Sequence, residues 1–558
     1  MIPGVATRVL VVLVTGAFAA AGARAERPRV YALTGGTVVT APGTTIEDGT
    51  VVLRDGLIEA VGAGVSVPPD AVEVDVRGLW VYPGLIDPDT TLGLASDDRE
   101  ERRSDSGAPD GQSPQARPGA NHPVSRIHPE HRVRDRLLPF EGDRKREAER
   151  YRNLGFTVAL AVPERGIFRG SSVAILLQDD TPVAELILRD RVAQHVAFET
   201  GRFGEGYPTS LMGAAAAFRQ ALLDAERYAE WSARWTANPR GLKRPETVAA
   251  WEALSGVVDG SRTVVFALEG GEQFDLADRL AREFELDAVM SASGTEWEIA
   301  ERVASSERTV IFPVAFPDKP KVQEDDDALD VTLREMRAYL EAPAAASRLH
   351  DAGVELAFTT RGLKNLADFS KNLESMVAAG LPESVALAAL TTVPARILGV
   401  DASVGTLEPG KIANVVVMDG PLFGKNAKAQ RIYVDGVEYH VEEKKKPKGD
   451  PNAVVDPRGE WSVVFEMGGQ SVQRTWTLSG SRGAYTGTAE TRSGTVTFDR
   501  VDLEGNALTV TFPSTGGFGP TEITLIVTGD SFEGVAEMGS RSVPVQGTRT
   551  SGPEGGTR

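Results

Sequence analysis

Between residues 156 and 360 short apolar runs alternate with longer amphipathic stretches, and this alternation constrains the fold more than any other feature of the chain. The runs include FTVALAV (156–162), RTVVFAL (262–268), DAVMSA (287–292), RTVIFPVAF (308–316) and VELAFTT (354–360). Between them lie LMGAAAAFRQALLDAERYAEWSARW (211–235), DLADRLAREF (275–284) and LREMRAYLEAPAAASRLHDAG (333–353). A strand covered on both faces reads as a continuous apolar run, and strands joined by helices pair in parallel. The expected fold class is therefore α/β, with a (β/α)8 TIM-like barrel over residues 83–398.

The flanks differ in period. Residues 26–82 and 399–441 have β character and are expected to join as a small composite β-sandwich. Asp55-Gly56 sits between two β runs and is a strong hairpin signal. Residues 95–135 are charged, rich in Pro and Gly and nearly free of large apolar side chains, so they are expected to form a long mobile insertion in the barrel. The stretch 442–457 (EEKKKPKGDPNAVVDP) reads as a linker. Residues 458–552 are almost all short alternating strands, expected to form a separate antiparallel β-barrel-like domain.

Arg8 precedes an apolar run from Val9 to Ala20, and Ala23-Arg24-Ala25 supplies small residues at the −3 and −1 positions of a cleavage site. The run is too short to span a bilayer, where a helix needs about 20 residues. Residues 1–25 therefore read as a signal peptide, with a retained anchor as the alternative, and the expected location is secreted or periplasmic. Removing them takes away Arg8 and Arg24 and leaves 58 basic against 79 acidic side chains, a net charge of −21 on 533 residues. Such a chain repels phosphate backbones, so nucleic acid is not an expected partner. The chain has no cysteine, which excludes disulfides, thiolate zinc sites and cysteine nucleophiles. After signal cleavage no stretch is apolar enough to cross a membrane.

Two stretches resemble the amidohydrolase superfamily, specifically its exported imidazolonepropionase-like members. They are GGTVVTAPGTTIEDGTVVLRDGLIEAVGAG…VDVRGLWVYPGLIDPDTTLGL (35–94) and PESVALAALTTVPARILGVDASVGTLEPGKIANVVVMDGPL…RIYVDGVEY (382–439). The pairing of Pro83-Gly84-Leu85-Ile86-Asp87 with Leu407-Glu408-Pro409-Gly410-Lys411 is what most specifically carries the resemblance, which covers about residues 29–440.

The resemblance implies a first barrel strand with His-x-His two and four residues after the Asp of the PGxxD motif. Period-2 alternation points both imidazoles inward to a divalent metal that activates water. Here those positions hold Asp89 and Thr91, and neither Thr nor a lone carboxylate replaces two imidazoles. The last barrel strand in the family ends in a metal-binding Asp. The matching run Ala357-Phe358-Thr359-Thr360-Arg361 has Arg361 where that acid belongs. The six histidines, His122, His128, His131, His195, His350 and His440, match none of the expected strand ends. The former metal-motif positions are thus Asp89, Thr91 and Arg361, and no metal ligand set is expected. A guanidinium has no acceptor atom, keeps its proton and repels a divalent cation. Asp89 and Arg361 are expected to pair across the barrel mouth; the alternative is two separately solvated loop charges.

Other signals are weaker. Gly405-Thr406-Leu407-Glu408-Pro409-Gly410-Lys411-Ile412 nearly matches a phosphate-binding loop, but Ile412 replaces the Mg-binding hydroxyl and a strand follows where a helix is needed. His122, His128 and His131 have metal-site composition but lie in the polar insertion, where an exposed mobile segment is the expectation. No Gly-x-Ser-x-Gly elbow or His-Glu-x-x-His helix is present. Asp89, Glu164 and Glu269 are candidate carboxylates for metal-free acid–base work at the catalytic face. Tyr207-Pro208-Thr209-Ser210-Leu211-Met212-Gly213, followed by Arg219-Gln220, is similar to a stretch of exported amidohydrolase-like proteins that lack the metal motifs. Gly459-Glu460-Trp461 resembles the Gly-x-Trp start of lipocalin-like barrels, with a core aromatic as the simpler reading of Trp461.

Three functions follow. One is an exported protein without a metal centre or conventional hydrolase activity, binding a small molecule or a partner such as an active amidohydrolase homologue. A second is a hydrolase of C–N bonds in amides, cyclic amides or small peptides, which would use zinc. The third is a metal-independent enzyme built on the three carboxylates. No cofactor is expected for the first or third.

Overall fold

The computed structural model describes residues 30–95, 122, 124, 126–201, 207–320, 331–425, 427–441, 449–451, 453–467, 470–481, 484–491, 494–512, 521–538 and 541–552. The signal-peptide segment, most of the insertion and the lysine-rich part of the linker lie outside them.

The flanks build one sheet from both ends of the barrel. Strands β1 (Val30–Ala41), β2 (Thr44–Arg54), β3 (Leu57–Ala63), β4 (Val72–Asp75) and β5 (Trp80–Pro83) precede the barrel. Val415–Met418, Ala429–Val434 and Val437–His440 follow it and join through Val415–Pro83 and Met418–Trp80 antiparallel pairing. The path is a rolled sheet, closed where Ile58 N–H donates to the Lys411 carbonyl at 2.8 Å. Asp55 and Gly56 both take positive φ, 49° and 82°, as a two-residue hairpin turn of matching twist requires. Alternation along Val415–Met418 sends Val415 and Val417 into the roll's core and Val416 and Met418 towards the barrel.

Every apolar run singled out above becomes a barrel strand. In chain order the barrel comprises β6 (Leu85–Thr90), β7 (Phe156–Ala161), β8 (Phe168–Ser171), β9 (Val173–Leu176), β10 (Ile187–Arg189), β11 (Ala193–Ala197), β12 (Thr263–Ala267), β13 (Ala288–Ser291), β14 (Val310–Pro313) and β15 (Leu356–Thr359). β6 pairs with β7, and β11 to β15 with one another, all in parallel. The wall departs from eight parallel strands in one place. β9 runs antiparallel to β7 and β8 antiparallel to β11, so one bent segment bridges the two sheets. The helices Leu211–Ala237 and Gly271–Glu283 lie where their periodicity places them, whereas 333–353 splits into Leu333–Glu341 and Ala345–Asp351 around Pro343. Pro343 lacks the N–H a continuous helix needs. No helix among the described residues is long and apolar enough to cross a membrane.

The end of the 95–135 insertion, expected to be mobile, is docked on the barrel. Ile127 and Val133 are buried in the barrel core, and β-bridges tie Ile127 to Phe168 and Arg132 to Ser171. Two well-placed apolar side chains dock a segment whose average composition is polar.

The C-terminal region is a nine-stranded antiparallel sheet, running from Gly459–Met467 to Arg541–Ser551 and curled into a half-barrel. Trp461 is fully buried in its core, donates from Nε1 to the Pro457 carbonyl at 2.8 Å and carries the Arg549 guanidinium over its ring.

Candidate functional site

The polar residues of the barrel interior gather at the carboxyl ends of its strands. Ala193, Val265, Val289, Ile311 and Ala357 form an apolar inward layer. Two residues farther along, the same faces of β11, β13 and β15 carry His195, Ser291 and Thr359. β6 adds Asp87 and Asp89, spaced by two and both buried, with a register irregularity between Asp87 and Thr90.

Asp87 accepts hydrogen bonds from Thr359 Oγ1 (2.7 Å), Thr360 Oγ1 (2.6 Å), Thr360 N–H (3.0 Å) and Asp89 N–H (3.2 Å). Burial pushes its carboxyl up to about 6, and these donors offset only part of that rise. Asp89 accepts from Ser291 Oγ at 2.6 Å and from Arg361 Nη1 at 2.5 Å. Arg361 also lies 3.6 Å from Glu164 through Nη2. Burial works to lower the guanidinium's pKa, but Asp89, helped by Glu164 and Asp87, holds it above the ordinary value.

The structure thus brings together Asp89, Arg361 and Glu164. Thr91 lies beyond the end of β6, exposed on the rim of a cleft, and Glu269 is not part of the group. Its carboxylate pairs with Gln273 in the first turn of the next helix, and none of its hydrogen bonds among the described residues reaches Asp89 or Arg361. A buried group, His195, and a half-buried one, Arg169, escaped the sequence reading. His195 sits inside the barrel with Nε2 unpartnered among the described residues, although no strand end was expected to carry a histidine. Burial forces it down to about 3 against the pull of Asp89, aided by repulsion from Arg169 and Arg361, so it is a neutral imidazole. Burial likewise lowers Arg169, with Arg361 nearby adding to the effect. The available signal for His195 was a histidine at an inward position of a strand whose apolar run Gln194 and His195 interrupt.

A cleft of about 600 Å³ opens above this layer, with Tyr151 and Thr360 in its wall. Its charged lining consists of Arg136, Arg150, Arg165 and Lys364 against Glu147 and Glu164, an excess of cations on a chain that is acidic overall.

Comparison with known proteins agrees with this architecture. Residues 279–453 match the amidohydrolase family model. A 134-residue segment is 28% identical to the amidohydrolase tasK of Hapsidospora irregularis, covering 23% of this chain and 14% of that protein. A 60-residue segment is 43% identical to the imidazolonepropionase of Mesorhizobium japonicum, covering 10% of this chain and 15% of that protein. The chain therefore aligns with about one-seventh of the length of either curated relative. The crystal structure of an amidohydrolase from Thermotoga maritima superposes with a TM-score of 0.58 at 22% identity, over 74% of this chain and all of that one. Residues 279–453 are thus similar to the amidohydrolase family, and the fold is like that of the Thermotoga maritima amidohydrolase.

Proposed function

We propose that this chain is an exported amidohydrolase-superfamily protein that has lost the metal centre and conventional hydrolase activity, and that its barrel mouth binds a ligand or a partner. The single observation that supports this reading most is the 2.5 Å contact between Arg361 and Asp89. The superfamily's metal would supply a Lewis acid and an activated water. The residues present do not fit it. A divalent cation on Asp89 would face a guanidinium that cannot release its proton, and the oxygens of Asp87 are already engaged by Thr359, Thr360 and the Asp89 N–H. Among the described residues His195 is the one imidazole in the layer, and it stands among the charges of Arg169 and Arg361.

The net positive lining of the cleft supports a carboxylate-bearing small molecule or the acidic face of a partner as its ligand. Export rests on the charged, apolar and small-residue order of positions 1–25. The second reading, hydrolysis of C–N bonds, is favoured by the segments shared with an imidazolonepropionase and an amidohydrolase.

The test is turnover on a panel of amides, cyclic amides and dipeptides, with and without added Zn2+, beside thermal melts with mono- and dicarboxylates. No turnover, and a melting temperature raised by carboxylates, is the expected result. Metal-dependent turnover that disappears in Asp89→Asn would establish the hydrolase instead.

A further inference from the structure

The sequence His128-Pro129-Glu130-His131 forms a tight turn on the outside of the barrel, closed by a 3.1 Å hydrogen bond from His131 N–H to the His128 carbonyl. Proline at the second position of such a turn presets its backbone. The turn is fastened at both ends to β8. His128 N–H donates to the Phe168 carbonyl at 2.8 Å, and Ser171 N–H donates to the His131 carbonyl at 2.9 Å. Gly170 lies directly beneath, with φ +112°, and a Cβ there would stand 2.4 Å from the His131 carbonyl oxygen. The backbone that carries the two imidazoles is therefore held by a folded edge.

The side chains converge. The rings of His128 and His131 stack with centroids 4.5 Å apart and planes inclined by 4°. One ligand atom from each of His128, Glu130 and His131 lies within 4.8 Å of the others. Both carboxylate oxygens of Glu130 are buried and accept no hydrogen bond among the described residues, and the nearer one stands 3.7 Å from His128 Nδ1. An ionised carboxylate without a partner is costly to bury, and a cation is what removes that cost. His122 adds a third imidazole in the neighbourhood, where it feels the charges of Glu130 and His128. Its Nδ1 accepts from Val124 N–H at 3.1 Å, which leaves the proton on a buried Nε2 that has no partner among the described residues. His122 is thus placed to donate to a ligand carboxylate and not to coordinate.

We propose that His128, Glu130 and His131 form a binding site for a zinc-like divalent transition-metal cation, independent of the barrel mouth. Two imidazole nitrogens and one carboxylate oxygen are the donor set such ions prefer over Mg2+ or Ca2+. Around a tetrahedral ion with bonds of about 2.0–2.1 Å the ligand atoms stand roughly 3.3 Å apart, and because an imidazole nitrogen binds in its ring plane, the two stacked rings turn out of parallel to aim at one ion. His131 is exposed, which leaves a coordination position open to solvent. An ion there pins the end of the insertion to β8.

The experiment is a Co2+ titration of the chelator-stripped full-length protein, followed by visible d–d absorption, with Zn2+ as competitor. One Co2+ per chain, displaced by Zn2+, is expected, with affinity reduced at least about 100-fold in Glu130→Gln and in His131→Ala and unchanged in Asp89→Asn. Far-UV circular dichroism confirms that both variants fold, and exposed His131 provides the readout should the buried position not tolerate change. Absence of Co2+ uptake, or uptake unaltered in both variants, overturns the site. Uptake lost in Asp89→Asn alone places the ion at the barrel mouth, which overturns this site and the function proposed above together.

Discussion

Asp89 and Glu130 are both carboxylates withdrawn from water, and the protein treats them in opposite ways. Asp89 meets a guanidinium and a hydroxyl, drawn from β13 and from the residue following β15. Glu130 meets no hydrogen-bond donor among the described residues, only two imidazoles on its own turn. A carboxylate matched by a fixed cation has no call for an ion from solution, whereas one left with two imidazoles is half of a coordination sphere. The likeness to the amidohydrolase family thus lies in the barrel, while the proposed ligand set lies outside it.

The contrast is sharpened first by pH. The folded-state pKa of Asp87, about 6, lies above its ordinary 3.8, so the proton stabilises the folded form. That contribution is complete below about pH 4 and is lost as pH rises through 6, by an amount on the order of 3 kcal/mol. His195 has the opposite sign: its pKa is depressed to about 3, so its contribution is present above 6.5 and lost as pH falls. The two partly cancel between pH 4 and 6. Urea denaturation of Asp87→Asn across this range should therefore show a steeper loss of stability on acidification than the wild type does.

Removing the fixed cation comes next. Arg361→Ala leaves Asp89 buried with only Ser291, and stability should fall by about 2–3 kcal/mol. This is less than for a wholly buried pair, because the Arg361 side chain keeps a third of its exposure. Adding Asp89→Asn to Arg361→Ala should recover part of the loss in a double-mutant cycle. Glu130→Gln reverses the sign. In metal-free protein it removes an unpaired buried charge and should raise stability by up to about 1 kcal/mol, while abolishing the rise in melting temperature given by Zn2+. Smallest of all, Glu269→Ala should change stability by less than about 0.5 kcal/mol, since that carboxylate is exposed and apart from the group.

Much of this molecule was legible in the sequence, for reasons that also mark where reading stopped. The strands of the barrel declare themselves because β7 and β12 to β15 are covered on both faces, so their apolar runs are unbroken. β8 and β11 do not stand out, because Arg169, Ser171, Gln194 and His195 interrupt their runs with polar side chains. The antiparallel bridge they form was missed for that reason, and so was His195. The Asp89–Arg361 contact was legible because the two motifs that bear it sit at recognisable strand ends. The His128–His131 turn was not, since its scaffold is Phe168–Ser171, some 40 residues away, and only Ile127 and Val133 hinted at docking within a polar stretch.

Anomalous scattering at the zinc edge, from crystals of the wild-type protein grown with Zn2+, compares the two carboxylates in one experiment. A peak bounded by His128, Glu130 and His131, with no density for an ion beside Asp89 and Arg361 still on that carboxylate, is the predicted result. A zinc ion on Asp89 with Arg361 swung away would contradict it.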